Sequence, residues 1–328
     1  MSRSLVILLA VLLSKSFVAH AMVVPNIKLE PQQSESMAHS VVYQGNAVKP
    51  DNPISKSTFS VVSYNQEDPS WMNPGCTGTV IAPRAILTAA HCFSDEPSRF
   101  DSVGVRFFSK EHGKYIIKKI VKVVKSDRFK VQNARGSVNT YSKIQGDIAV
   151  AFLESPIAGA KPVRLPSEKL VVTEKDLLWV SGFGENGISN YDYMKTDPEA
   201  GPLMQKLKSK NLNATQKQEI EEYLEQFMFF KPLLYTQAKG RLYPRLDGDL
   251  AKLIYYSRNT TCKGDSGGPT YLRDGAGNLT VIGVISSGTN QPCGEPPHSI
   301  FNKYYESTNI YVPFYVKWIK TELAKNGQ

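Results

Sequence analysis

Cys262-Lys263-Gly264-Asp265-Ser266-Gly267-Gly268-Pro269 is the stretch whose reading decides the fold. Two glycines after a serine, and one two places before it, allow a tight turn that presents the hydroxyl outward. The same turn lets main-chain N–H groups converge beside that hydroxyl. A serine hydroxyl is a weak nucleophile at its free pKa and needs a neighbouring base and an acid that orients the base. Ser266 therefore sends the reader to the rest of the chain for both.

His91 is the candidate base. It closes Leu87-Thr88-Ala89-Ala90-His91-Cys92, the end of a predicted strand, beside a cysteine. Asp147 is the candidate acid, opening the apolar run Ile148-Ala149-Val150-Ala151-Phe152-Leu153. A carboxylate at the mouth of such a strand is partly buried and must find hydrogen-bond donors. The ring N–H of His91 is one such donor.

Short β-rich runs separated by turn signals recur over 59–64, 77–82, 85–89, 103–108, 115–124 and 148–153. A second series follows at 177–181, 269–272 and 279–286, the last two joined by Asp274-Gly275-Ala276-Gly277-Asn278. Strands of this length and spacing predict an all-β barrel or sandwich. In 115–125, Lys118, Lys119, Lys122 and Lys125 lie among Ile and Val, as on a strand with lysines facing solvent or guarding an edge. Residues 203–230 break the pattern. Thr215 with Gln218 three later reads as a capping box, and Ile220, Tyr223, Leu224, Phe227 and Met228 form an apolar helical stripe stopped by Pro232. That face is expected to pack on the domain. A last helix is predicted over 316–324, after Pro313.

The N-terminus reads as an export signal over 1–21: Arg3, the apolar run 5–13, and Ala19-His20-Ala21 as cleavage site. Residues 22–41 are polar and aperiodic, as in a pro-segment. Nothing further is long and apolar enough to span a bilayer as a helix. The full chain has 328 residues and net charge +9; loss of 1–41 leaves +8. Without aromatic–basic interleaving or a nucleic-acid motif, that charge describes a basic soluble surface. The expectation is an exported protein, secreted or periplasmic, with no nucleic-acid or membrane partner. Cys76, Cys92, Cys262 and Cys293 are too far apart for a zinc knuckle and suit disulfides in an oxidising compartment. Three pairings are open. The local one, Cys76–Cys92 with Cys262–Cys293, closes loops worth about 3 kcal/mol each. No metal and no cofactor are expected.

The words Leu-Thr-Ala-Ala-His-Cys, Gly-Asp-Ile-Ala-Val and Gly-Asp-Ser-Gly-Gly-Pro, in this order, resemble the three signatures of the chymotrypsin/trypsin-like serine peptidases. The resemblance runs from about Val42 to the C-terminal helix. It implies two Greek-key antiparallel β-barrels, about 42–155 and 156–312, with a C-terminal helix at about 313–324. Gly182-Phe183-Gly184 resembles the family's Gly-Trp-Gly, yet Ser266 lies 82 residues beyond Gly184. A helical insertion at about 200–235 in the second barrel accounts for the excess, on the side of the cleft where the leaving group departs.

The resemblance also implies roles. Ser266 is the nucleophile, His91 the base and Asp147 its orienting acid, with the N–H groups of Gly264 and Ser266 as the oxyanion hole. Activation by cleavage after Val41 would free an α-amino group at Val42, which pairs with Asp265; Ser40–Val41 is the alternative bond, and neither follows Lys or Arg. Thr260 takes the floor of the specificity pocket, Ser286, Ser287 and Gly288 its wall strand, and Asn309 a further wall. Thr260 and Ser287 stand where trypsin itself has Asp and the family usually has Trp, so the pocket reads as open, polar and uncharged. The implied function is a monomeric secreted serine endopeptidase acting on protein or peptide substrates, with a proteinaceous inhibitor as a further partner. The competing reading is a catalytically inactive homologue that binds or regulates.

Overall fold

The computed structural model describes residues 45–69, 72–93, 100–132, 143–185, 190–209, 211–225, 227, 230–243, 252–257, 261–288 and 305–328. The export signal, the pro-segment and Val42 lie outside them.

Strands are numbered in chain order. A short β1 (Asn46–Ala47) precedes β2 (Thr58–Tyr64), β3 (Met72–Ala82), β4 (Ala85–Thr88), β5 (Ser102–Ser109) and β6 (Lys114–Lys125). A small hairpin, β7 (Lys130–Gln132) and β8 (Lys143–Gln145), then leads to β9 (Ala149–Leu153). Six of these close a barrel in the order β2-β3-β4-β9-β6-β5, every pair antiparallel. The second group is β10 (Leu177–Gly182), β11 (Leu234–Tyr243), β12 (Lys252–Ser257), β13 (Pro269–Arg273), β14 (Leu279–Gly288) and β15 (Tyr305–Tyr311). They close in the order β10-β11-β12-β15-β14-β13, with β1 added beside β11. Counted within each barrel, both run 1-2-3-6-5-4. The repeated permutation is the expected pair of Greek-key barrels, and closure leaves neither with free sheet edges.

Side-chain chemistry explains the layers. The fully buried β4 and β9 are paired over Ala85–Thr88 and Ala149–Phe152 and read as unbroken small and branched apolar runs. They have apolar neighbours on both faces. Ile86, Ala149 and Ala151 join the interior of the first barrel, while Leu87, Ile148 and Val150 join a cluster shared with Val281, Val284 and Ile310 of the second. Two lysines of β6 reach polar partners at its surface: Lys119 Nζ donates to Gln66 Oε1 at 2.9 Å and Lys122 Nζ to Asn326 Oδ1 at 2.8 Å. At the C-terminus a 3-10 turn, Val312–Tyr315, leads into a helix, Val316–Lys325, whose Val316, Ile319 and Leu323 enter the shared cluster.

The insertion between β10 and β11 differs from expectation. It holds three helices, α1 (Asn190–Thr196), α2 (Ala200–Leu207) and α3 (Ala214–Glu225), and ends where β11 begins at Leu234. The C-terminal helix is therefore α4. The capping box of α3 is not Thr215 with Gln218. Asn213 caps: its Oδ1 accepts Gln216 N–H at 2.8 Å, and Gln216 Oε1 accepts Asn213 N–H at 3.2 Å. Asparagine is as good a cap as threonine, and two pairs at the right spacing overlap here. Gln218 is instead paired with Glu222. The apolar stripe does pack on the domain: Ile220, Leu224 and Phe227 meet Met194, Ala200 and Tyr115 of β6. Phe227 lies beyond the helix end, and Met228 lies outside the described residues.

Candidate active site

The first barrel contributes His91 and Asp147. Strand β4 runs into a single 3-10 turn, Ala90–Cys92, and Asp147 lies two residues before β9, its antiparallel neighbour. Register alone thus brings the two together. Asp147 is fully buried and grips His91 twice: Oδ2 lies 2.7 Å from ring Nδ1 and Oδ1 accepts the His91 main-chain N–H at 2.9 Å. With Nδ1 held by a carboxylate, the ring keeps its proton there and offers Nε2 as the acceptor. His91 remains 28% exposed, so the ring borders solvent while its partner does not.

The second barrel contributes the serine. Ser266 sits on the loop between β12 and β13, and its carbonyl accepts the Thr77 N–H at 2.8 Å. Thr77 follows Cys76, which is disulfide-bonded to Cys92, the residue after His91. Cys92 Sγ lies 3.7 Å from the Ser266 carbonyl oxygen. The Thr77 hydrogen bond and the disulfide after it therefore tie the serine loop to the histidine turn, with the Cys92 sulfur packed against the serine carbonyl. Strand β14 of the second barrel also reaches the aspartate, through Ser286, whose hydroxyl donates to Asp147 Oδ2 at 2.6 Å. Strand β14 carries one extra residue at that point, since Ile285 faces Asn309 and Ser287 faces Thr308. The bulge breaks the alternation, turning Ser286 inward to the carboxylate and leaving Ser287 exposed.

A known family model, described as Trypsin, matches residues 48–229 and 247–314 of the chain. The chain belongs to the trypsin family. Human serine protease 41 is 25% identical to it over 256 residues, covering 76% of this chain and 69% of that protein. The family and this relative mark the chain as a serine-protease-type hydrolase by descent.

Within the trypsin-family frame, Asp265 is the most constrained charge. Its carboxyl is fully buried, with Oδ1 accepting Gly184 N–H and Oδ2 accepting Cys262 N–H, each at 2.8 Å. Burial pushes its pKa up to about 7, and the two N–H bonds offset only part of that cost. The Gly-Phe-Gly spacing has its reason here. A Cβ on Gly182 would meet Asp265 Oδ1 at 2.1 Å, and one on Gly184 would meet its Cγ at 2.6 Å.

The remaining predicted residues divide. The disulfide Cys76–Cys92 is present with a Cα–Cα distance of 6.1 Å. Cys262 is disulfide-bonded, and Cys293, its expected partner, lies outside the described residues. Thr260 and Val42 also lie outside them. Gly288 ends β14 opposite Ser307, next to the exposed Ser287. Two side chains are used differently from expectation. Ser286, read as pocket wall, spends its hydroxyl on Asp147. Asn309, also read as wall, is fully buried in the second barrel, where its Oδ1 accepts from Thr270 Oγ1 at 2.9 Å. The wall reading rested on the family resemblance, and the bulge in β14 sets which of these residues face inward.

Cys76, His91 and Cys92 also bring three ligand-type atoms within 4.8 Å of one another. The two sulfurs are bonded to each other, so they offer no thiolates to a metal. Sequence reasoning passed over Thr77. The signal was its position after Cys76, which pairs beside His91.

Proposed function

We propose that the chain is a secreted serine endopeptidase that cleaves peptide bonds in proteins or peptides through an acyl-enzyme on Ser266. The observation that carries this reading is the double grip of Asp147 on His91, with Ser266 tied to the same turn through Thr77. In this reading Ser266 Oγ attacks the scissile carbonyl and His91 Nε2 takes its proton. The same nitrogen later returns that proton to the leaving amine. Asp147 keeps the proton on Nδ1 and stabilises the imidazolium, and Gly264 and Ser266 N–H groups receive the negative oxygen. These roles follow the general scheme for trypsin-type enzymes.

Export through residues 1–21 and removal of 22–41 belong to the same proposal. A buried carboxylate such as Asp265 calls for a cation. The α-amino group of a chain beginning at Val42 is the cation this reading supplies. The specificity pocket, with Thr260 as floor and Ser287 and Gly288 on the wall strand, is open and uncharged, which favours broad or chymotrypsin-like cleavage over cleavage after Arg or Lys.

Labelling of the processed protein by a fluorophosphonate tests the chemistry. Ser266→Ala abolishes labelling, and both Ser266→Ala and His91→Ala lower peptide cleavage at least a thousandfold. A folded, processed protein that neither labels nor cleaves a diverse peptide library overturns the proposal in favour of an inactive binding homologue.

A further inference from the structure

The Gly264–Ser266 loop belongs to the second barrel, yet a side chain of the first barrel holds its conformation. Thr77 lies on β3 and is fully buried. Its hydroxyl donates to the Gly264 carbonyl at 2.9 Å and accepts the Phe183 N–H at 3.1 Å. One hydrogen and one lone pair are thereby used, as a hydroxyl permits. The main chain of the same residue completes the bracket. Thr77 N–H donates to Ser266 O at 2.8 Å, and Thr77 O accepts from Thr88 Oγ1 at 2.7 Å.

Gly264 is where this matters. Its φ of 99° lies in the region only glycine enters freely, so the two peptide planes that meet there can turn at little cost. The plane before it carries the Gly264 N–H, and its carbonyl, Lys263 O, is fixed by Glu185 N–H at 3.0 Å. The plane after it carries Gly264 C=O, which Thr77 Oγ1 fixes, and the Asp265 N–H, which Cys262 O accepts at 3.0 Å. Each plane is rigid because the peptide bond is planar. With one plane held from the loop after β10 and the other from β3, the freedom that glycine brings is removed, and the Gly264 N–H has one direction. The Phe183 N–H on the same hydroxyl ties that loop into the bracket, one residue before the glycine that touches Asp265.

We infer that Thr77 is a positioning residue for the oxyanion hole: its hydroxyl holds the Gly264 carbonyl and, through the Phe183 N–H, the loop whose Glu185 N–H fixes Lys263 O, and the two together aim the Gly264 N–H at the oxygen that becomes negative on acylation. The inference rests on the serine-peptidase reading above. A residue that merely glued the barrels together would affect stability alone, so the test must separate aim from stability.

Processed wild-type protein, Thr77→Ser, Thr77→Val and Thr77→Ala are labelled with a fluorophosphonate, with the maximal labelling rate and the half-saturating concentration determined separately. Loss of an oxyanion donor costs about 100- to 1,000-fold, and a misaimed donor should cost part of that. Thr77→Val is expected to label about 10- to 100-fold more slowly at saturation, with the half-saturating concentration little changed, and Thr77→Ser to retain the wild-type rate. A folded Thr77→Val protein that labels at the wild-type rate overturns the inference, as does Thr77→Ser as slow as the valine variant. Thr77→Ala carries the same comparison if the valine variant does not fold. If neither folds, Thr77 is a clamp between barrels and the inference is overturned. Failure of wild type itself to label is a failure of the serine-peptidase reading, whereas normal wild-type labelling with indifferent Thr77 variants fails this inference alone.

Discussion

Ser286 donates its hydroxyl hydrogen to Asp147 Oδ2 at 2.6 Å, so the carboxylate that orients His91 in one barrel is itself held from the other. The bond shares Oδ2 with the histidine ring, in a place where water cannot replace it. The consequence is that the geometry of the histidine depends on how the two barrels meet.

Ser286→Ala should therefore lower catalytic efficiency without touching the nucleophile. A hydrogen bond to a charged acceptor is worth about 1.5–3 kcal/mol. Part of that should appear as an approximately tenfold loss in kcat/KM and part as lost stability. Peptide cleavage and urea unfolding of the variant check both. An unchanged kcat/KM would mean that His91 alone is enough to hold Asp147.

Arg106 of β5 is buried, with its guanidinium carbon 3.5 Å from the ring centroids of Tyr115 and Phe230. Tyr115 donates to Asp197 Oδ2 at 2.8 Å, and Glu199 accepts from both Tyr115 N–H and Tyr223 OH. Asp197 and Glu199 supply the negative charge facing Arg106. Removing the cation leaves these acids without compensation, a change that costs about 3–5 kcal/mol at buried sites. Arg106→Ala is expected to loosen α1–α3 before the barrels, read as faster amide exchange over 190–225. Arg106→Lys should recover only part, because an ammonium cannot stack flat between two rings.

The two candidate caps of α3 make opposite predictions. Asn213→Ala removes the observed cap and should cost about 1 kcal/mol of helix stability. Thr215→Ala lies inside the helix and should be neutral within about 0.5 kcal/mol. Amide exchange across Ala214–Glu225 distinguishes them. Equal effects would show that the box is shared.

Asp265 gives the unprocessed chain a pH signature. Its carboxyl titrates near pH 7 when folded and in the ordinary carboxylate range when unfolded. Between about pH 4 and 7 the folded state holds a proton that the unfolded chain has released. Stability therefore falls as pH rises through that window and levels off above it. Asp265→Asn should remove this component, so the difference in urea midpoint between variant and wild type changes from pH 4.5 to 7.5. In a chain that begins at Val42 the new amine lowers the carboxyl pKa and the difference should flatten. A difference that is flat in both forms would mean that Asp265 is already paired before processing.

Much of this was legible because the chemistry is written in contiguous words. Leu-Thr-Ala-Ala-His-Cys, Gly-Asp-Ile-Ala-Val and Gly-Asp-Ser-Gly-Gly-Pro each combine a strand or turn signal with one reactive residue, and their order resembled a single family. The apolar runs at 85–89 and 148–153 became β4 and β9, the neighbouring strands that bring His91 to Asp147. Strands β11, β12 and β15 were not read. Their lysines, tyrosines, serines and threonines obscure the hydrophobic alternation, and their partners lie far along the chain, Lys252 facing Ile310 and Tyr235 facing Asn46. In α3 a local rule existed but applied to two overlapping pairs, and the choice fell on the wrong one.

The sequence by itself determined an all-β class and the helix at the end, because periodicity and turn chemistry act over a few neighbouring residues, and its short motifs pointed through the family resemblance to two barrels and to His91, Asp147 and Ser266. Only the tertiary structure decided what Ser286, Asn309 and Thr77 do. Ser286 turns to Asp147 because β14 gains a residue against β15, and Asn309 closes onto Thr270 inside the barrel. Thr77 reaches Gly264 because β3 of one barrel lies against the serine loop of the other. Each of these hydroxyls and amides could bond equally well in many settings. Which partner it takes is set by contacts between distant strands, and no spacing along the chain encodes that.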